Sequence, residues 1–256
     1  MQRYEMNVVI LGAGWLGSAF IEKARQQHWQ VQGTSRSNTN TSSIIRQFAI
    51  QEGELVHSID LKDAYWVCAI PPRARDVASN YLDTLSSALQ LAQQLKCKGF
   101  LLCSSTGVYA EKDAIYNEHS ELDSETARKK VLIAAENKVL EAGGKVLRLA
   151  GLVGPNREPG QFVAGKALKS SSKAVVNMVH QHDVVAAIST VLEQWPQADT
   201  IYNVCHPWHP TREDYYKEKC ALLGTQPPTF ARDVASVRII DGSAIEALGF
   251  AYQATI

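Results

Sequence analysis

No tyrosine occurs between Tyr116 and Tyr202, and no two of the five cysteines form a Cys-x-x-Cys pair. That spacing excludes a Cys-x-x-Cys redox or metal pair, and the odd count argues against a disulfide framework. Cys68, Cys103 and Cys205 lie inside apolar, strand-like runs and read as small core residues in a reducing cytoplasm. Polybasic runs are also missing, and Lys plus Arg balance Asp plus Glu at 26 each. The chain therefore lacks the electrostatic footprint that nucleic acid or an anionic membrane surface requires, which leaves small molecules as the expected partners. No apolar stretch is long enough to span a bilayer, and the first of them, residues 8–11, leads straight into a glycine loop. Nothing suggests export.

What is present is alternation. Short runs rich in Val and Ile at 7–11, 29–33, 54–60, 65–70, 100–104, 145–150, 174–179 and 200–205 read as strands. Helical spacing separates them, as in Tyr81, Leu82, Leu85 and Leu89, and again in Val131, Leu132, Ala135, Val139 and Leu140, with Gly99 and Gly143-Gly144 as stops. Strand–helix alternation of this kind builds βαβ units on a parallel sheet, and runs that are apolar throughout are strands covered on both faces. From Pro207 onward the pattern changes to short helices between prolines, 212–223 and 243–248. The expected architecture is α/β, one doubly wound parallel sheet over 1–256, with 151–172 and 206–256 contributing a small C-terminal, substrate-side lobe. Residues 34–43 are a polar, low-complexity stretch expected to be a loop.

The most specific motif is Val8-Val9-Ile10-Leu11-Gly12-Ala13-Gly14-Trp15-Leu16-Gly17, a G-x-G-x-x-G loop directly after a buried strand and before an amphipathic helix. Gly12 suits the tight turn, Gly14 lets a pyrophosphate approach the backbone, and Gly17 lets helix and strand pack closely. With Trp15 and Leu16 at the helix start, these positions are expected to hold a dinucleotide on helical N–H donors, in a Rossmann arrangement. About 20 residues past such a loop an NAD-selective fold places an acid on the ribose. This chain has Thr34, Ser35 and Arg36 there, two hydroxyls and a guanidinium suited to a 2′-phosphate, so NADP is favoured over NAD. Ala69, at the end of the fourth strand, is small enough for a cofactor to pass close to the backbone.

Five further segments, in order, resemble the extended short-chain dehydrogenase/reductase superfamily of NAD(P)-dependent epimerases and dehydratases. They are Ser104-Ser105-Thr106-Gly107-Val108-Tyr109, Arg148 through Gly154-Pro155-Asn156-Arg157, His180-Gln181-His182-Asp183-Val184, Tyr202-Asn203-Val204 and Leu248-Gly249-Phe250. The loop departs from that family's commoner G-x-x-G-x-x-G spacing, which places the chain among atypical members. The resemblance implies that Ser105 orients the substrate oxygen, that Thr106 and Arg157 line the substrate side, and that Asp60 touches the adenine edge. It also implies a Tyr-x-x-x-Lys acid–base pair, which the chain lacks.

In the family that pair opens the helix after Ser105, where the chain reads Thr126-Ala127-Arg128-Lys129-Lys130-Val131-Leu132. One alignment puts Arg128 and Leu132 in place of tyrosine and lysine, and another puts Thr126 and Lys130 there. Tyr109 is the nearest phenol to Ser105 in sequence, and Tyr116, Lys130 and water are the other proton sources. A literal Tyr215-x-x-x-Lys219 lies on a C-terminal helix that Thr211 caps, where a core-edge or solvent-facing role is expected. His180 and His182 read as capping or core residues rather than metal ligands, and Asp183 as a first-turn acid. The sequence thus points to an NADP-preferring oxidoreductase or epimerase acting on a small polar or nucleotide-sugar-like substrate, with a non-catalytic NADP-binding redox sensor or partner-binding module as the alternative. No metal is expected, and a homodimer is the quaternary state that the resemblance implies.

Overall fold

The computed structural model describes residues 6–37, 43–72 and 80–256. Residues 38–42 of the polar stretch lie outside them. The chain runs through β1 (Asn7–Leu11), α1 (Trp15–Gln26), β2 (Gln30–Ser35), β3 (Ile45–Gln51), β4 (Glu54–His57), β5 (Tyr65–Cys68), α2 (Tyr81–Gln94) and β6 (Gly99–Ser105). A 3-10 turn, Thr106–Val108, then leads to β7 (Ala114–Tyr116), α3 (Ala127–Glu141), β8 (Lys145–Leu149), β9 (Gly151–Val153) and α4 (Pro159–Phe162). The remainder is β10 (Ala167–Ser171), β11 (Met178–His180), α5 (Gln181–Glu193), β12 (Ile201–Val204), α6 (Arg212–Leu223), β13 (Thr229–Arg232) and β14 (Arg238–Ile240).

The central sheet has eight strands in the order β12-β8-β6-β5-β1-β2-β3-β4. β1 pairs in parallel with both β2 and β5, so the chain leaves β1 toward opposite sides and opens a crevice at the carboxyl ends of β1 and β5. Val8 to Leu11 are wholly buried because helices cover both faces. α1 turns Leu16, Phe20, Ile21 and Ala24 inward, and α2 does the same with Tyr81, Leu85, Ala88, Leu91 and Ala92. Val9, Leu11, Trp66, Phe100 and Leu102 meet α2 and Val139 of α3 in one cluster. Each such aliphatic or aromatic side chain contributes roughly 1.5–3 kcal/mol on burial, which anchors the strand ends that carry the site.

Three expectations need correction. The third strand of the wound sheet is β3, parallel to β2; β4, inside the expected 54–60 run, is an antiparallel edge strand joined to β3 by a tight turn. That turn uses Glu52 at φ 51° and Gly53 at φ 84°, the pair of positive values that a two-residue hairpin needs. Gly99 opens β6 and does not stop a helix; α2 ends at Gln94, and Lys96 at φ 56° turns the chain. Of the run 174–179, only Met178 and Val179 belong to a strand, β11, while Ala174 and Val175 form isolated bridges.

The chain divides into two compact units, 1–108 with 123–148 and 188–201, and 109–122 with 149–187 and 202–256. In the second, Val153, Val163, Val176, Tyr215, Tyr216, Cys220 and Ile256 form a small core. Its α6 starts at Thr211, whose side chain accepts from the Asp214 N–H, and ends at Gly224 at φ 64°. Among the described residues no helix is long and apolar enough to cross a membrane.

Candidate functional site

At the end of β1, Gly12 adopts φ +89°, a conformation that side-chain-bearing residues rarely reach. Its N–H donates to Thr34 Oγ1 at 2.9 Å, and the Ala13 N–H donates to the Thr34 carbonyl at 2.8 Å. Thr34 is thus a buried strut that ties the loop to β2. A methyl group built on Gly17 would stand 2.0 Å from the Gly12 carbonyl oxygen, whereas one on Gly14 would meet nothing within 4 Å. The two glycines therefore differ in purpose: Gly17 is bare so that helix and loop can touch, and Gly14 is bare where the backbone faces open space. No side chain caps α1 through a hydrogen bond and no acid lies in its first turn, so no carboxylate there competes with a phosphate for the helix's positive end.

The loop forms one wall of a cavity of about 520 Å³, within the roughly 300–1,000 Å³ span of small-molecule sites. Gly12, Ala13, Gly14, Thr34, Ser35 and Arg36 line it, joined by Phe48, Ala49 and Ile50 of β3, Ile70 and Pro71 after β5, and Asn80, Tyr81 and Thr84 around the start of α2. The β3 residues were not foreseen from sequence because β3 itself was not; Asn80, Tyr81 and Thr84 were not foreseen either, although the helix they begin was. Arg36 is exposed and makes no hydrogen bond or ion pair among the described residues. The Ser35 hydroxyl donates to the Ser37 carbonyl at 2.7 Å. Ala69 donates its N–H to the Leu11 carbonyl at 2.9 Å, fixing the end of β5, while the cavity wall itself is its neighbour Ile70. Asp60 lies beyond β4, accepts from Gln32 Nε2 and stands 3.7 Å from Arg46 Nε. Burial, then the neighbouring Cys68, Cys103 and Glu136, push the Tyr81 phenol well above its ordinary range, so it stays protonated.

The second feature of this unit is the end of β6. Ser104 donates to Glu136 Oε1 at 2.6 Å, and Glu136 pairs with Arg148 at 2.8 Å, a wholly buried network that locks α3 against β6 and β8. That lock fixes the rotation of α3 and so which of its side chains meet Ser105. A methyl group on Gly107 would stand 3.2 Å from Ser105 Oγ and 3.8 Å from both Arg128 Nη2 and Leu132 Cδ1. The helix thus presents Arg128 and Leu132 to the serine turn. Thr126 instead caps α3, accepting from the Lys129 N–H at 3.2 Å, and Lys130 is exposed. Ser105 Oγ accepts the Gly107 N–H at 3.1 Å, and Thr106 is buried.

In the second unit Tyr109 has no exposed surface and donates its hydroxyl to Asn203 Oδ1 at 2.8 Å; Tyr116 donates to the Lys112 carbonyl at 3.2 Å. Arg157 is exposed on a turn closed by its own N–H to the Gly154 carbonyl at 2.8 Å. Tyr215 is buried in the unit's core with Lys219 Nζ 5.5 Å from its ring centre, a packing role for that Tyr-x-x-x-Lys. His180 Nδ1 accepts the His182 N–H at 3.1 Å, a cap at the entry of α5, and buried Asp183 accepts from the Gln253 and Ala254 N–H groups. Among the described residues no group of three or more His, Cys, Asp or Glu side chains could hold a metal ion.

No model of a known protein family matches the chain. Over 96% of its length, and 95% of the relative's, it is 35% identical to Protein YeeZ of Escherichia coli strain K12. Among solved structures it superposes on UDP-N-acetylglucosamine 4-epimerase from Bacillus cereus with a TM-score of 0.77 at 14% identity, covering 98% of this chain and 92% of that one. It superposes on MoeE5, solved with UDP-glucose and NAD, with a TM-score of 0.78 at 16% identity over 98% of this chain and 94% of the other. The fold is that of these solved NAD-dependent epimerase and dehydratase structures. The chain belongs to the family of Protein YeeZ.

Proposed function

We propose that the protein binds a nicotinamide dinucleotide, NADP in preference to NAD, and is an oxidoreductase or epimerase on a small polar or nucleotide-linked substrate. One observation carries the reading: the cavity at the carboxyl end of β1 is walled by a glycine loop open at Gly14, an uncapped helix start and the uncommitted guanidinium of Arg36. Those are the donors and the space that a pyrophosphate and a 2′-phosphate need. When bound, the coenzyme would supply hydride exchange. In this chain Gly12, Gly14 and the first turn of α1 would hold the diphosphate, Arg36 the 2′-phosphate, and Ser105 would orient the substrate. Similarity to MoeE5, solved with NAD, supports the coenzyme class. The test is titration of NADPH and NADH into wild-type and Arg36→Ala protein. NADPH should bind at least tenfold tighter than NADH, and the variant should lose that preference; equal affinities in the wild type would refute the NADP reading.

A second reading, a non-catalytic NADP-binding sensor, is favoured by one feature, the presence of Arg128 and Leu132 beside Ser105 where acid–base chemistry would need a phenol and an amine. Turnover separates the two: loss of absorbance at 340 nm with a carbonyl substrate marks an oxidoreductase, isomerisation of a sugar nucleotide without net loss of NADPH marks an epimerase, and a sensor binds NADPH and converts nothing.

A further inference from the structure

We propose that Gly107, Ser105 and Arg128 form an oxyanion-binding niche that seats a carboxylate or phosphate group of the substrate. Glycine at 107 leaves a small space bounded by the Ser105 hydroxyl, the Arg128 guanidinium and the Leu132 methyl. Ser105 Oγ already accepts the Gly107 N–H, and among the described residues no acceptor takes its own proton. Arg128 is exposed and makes no ion pair or hydrogen bond there. Both polar walls are therefore donors, and the third wall is apolar. A ligand oxygen seated there meets the free hydroxyl proton of Ser105 and a guanidinium that can only donate, and a guanidinium fork pairs most strongly with a carboxylate or phosphate.

The same residues limit the chemistry. An arginine keeps its proton in proteins, so Arg128 cannot act as the base that a tyrosine–lysine pair would be. It acts by position, holding an anionic group while Ser105 donates to a neighbouring oxygen. Placement of that group is secured by the buried Ser104–Glu136–Arg148 network, which fixes α3 about two turns beyond Arg128.

The inference deepens the coenzyme-dependent reading as to substrate class, so the test measures coenzyme and anion separately. Oxalate and inorganic phosphate are titrated into the protein by calorimetry, with and without saturating NADP, for wild type, Arg128→Ala, Arg128→Lys, Gly107→Ala and the surface control Arg25→Ala. The wild type and Arg25→Ala should bind at least one of the two anions, and which one binds tells carboxylate from phosphate. Arg128→Ala should weaken that binding by roughly tenfold to a hundredfold, Arg128→Lys by less, and Gly107→Ala should block it by filling the niche. NADP affinity should be unchanged in every variant, which also reports that each is folded. Failure of the wild type to bind either anion in both states, or equal binding by Arg128→Ala, overturns the niche whatever NADP does. Failure of NADP alone to bind overturns the coenzyme reading and leaves the niche standing.

Discussion

Gly14 and Gly17 lie in one loop, yet the structure predicts opposite consequences for filling them. A side chain at Gly14 meets no protein atom within 4 Å, and the backbone there, φ −87° and ψ −157°, is extended and open to any residue. Gly14→Val should therefore fold with an unchanged melting temperature. Its side chain would occupy the space through which a diphosphate reaches the backbone, removing two or so charge-assisted hydrogen bonds at about 1.5–3 kcal/mol each, a loss of more than a hundredfold in NADPH affinity. At Gly17 even one methyl lands 2.0 Å from the Gly12 carbonyl oxygen and 3.0 Å from its carbon, both backbone atoms that cannot swing aside. Gly17→Ala should thus lift the helix off the loop, costing about 1–3 kcal/mol of overpacking, with Tm falling by roughly 2–4 °C per kcal/mol. The assay is paired: thermal unfolding by circular dichroism and NADPH binding by fluorescence. Wild-type NADPH affinity in Gly14→Val would refute the claim that this backbone faces a diphosphate, and an unchanged Tm in Gly17→Ala would refute the packing.

Other consequences follow from buried groups. Arg148→Met strands the Glu136 carboxylate in the core and should cost about 3–5 kcal/mol in urea unfolding, whereas Arg148→Met with Glu136→Leu should recover much of it. Burial pushes the thiols of Cys68 and Cys97 up to about 11, so native protein at pH 8 should react slowly with a disulfide reagent and all five thiols quickly in denaturant. Burial also lowers His180 and His206 below their ordinary value, so between the folded pKa and the unfolded value near 6.5 the unfolded chain binds more protons. Stability should hold above pH 6.5 and fall as the pH drops through that window, measured by urea midpoints; a rise would contradict the sign.

The glycine loop could be read from sequence because its requirements are local: a buried strand, three glycines at fixed offsets and a helix. β3 could not, since Ile45-Arg46-Gln47-Phe48 mixes polar and apolar residues and its hairpin turns on Glu52-Gly53 rather than on an Asn-Gly signal. With β3 went Phe48, Ala49 and Ile50 of the cavity wall. The residues facing Ser105 were also beyond reach, because Arg128 with Leu132 and Thr126 with Lys130 fit the same sequence equally well. The choice between them depends on the rotation of α3, which is set by Glu136 reaching Ser104 and Arg148 across the sheet. Asp60 carries an adenine-edge role only through the resemblance, and its partners Gln32 and Arg46 come from neighbouring strands that only the folded sheet brings together.

The most direct test of the central claim is calorimetric titration of purified protein with NADP and with NAD. Saturable one-site binding, tighter for NADP and removed by Gly14→Val, is the predicted result; no heat from either nucleotide at millimolar concentration would contradict it.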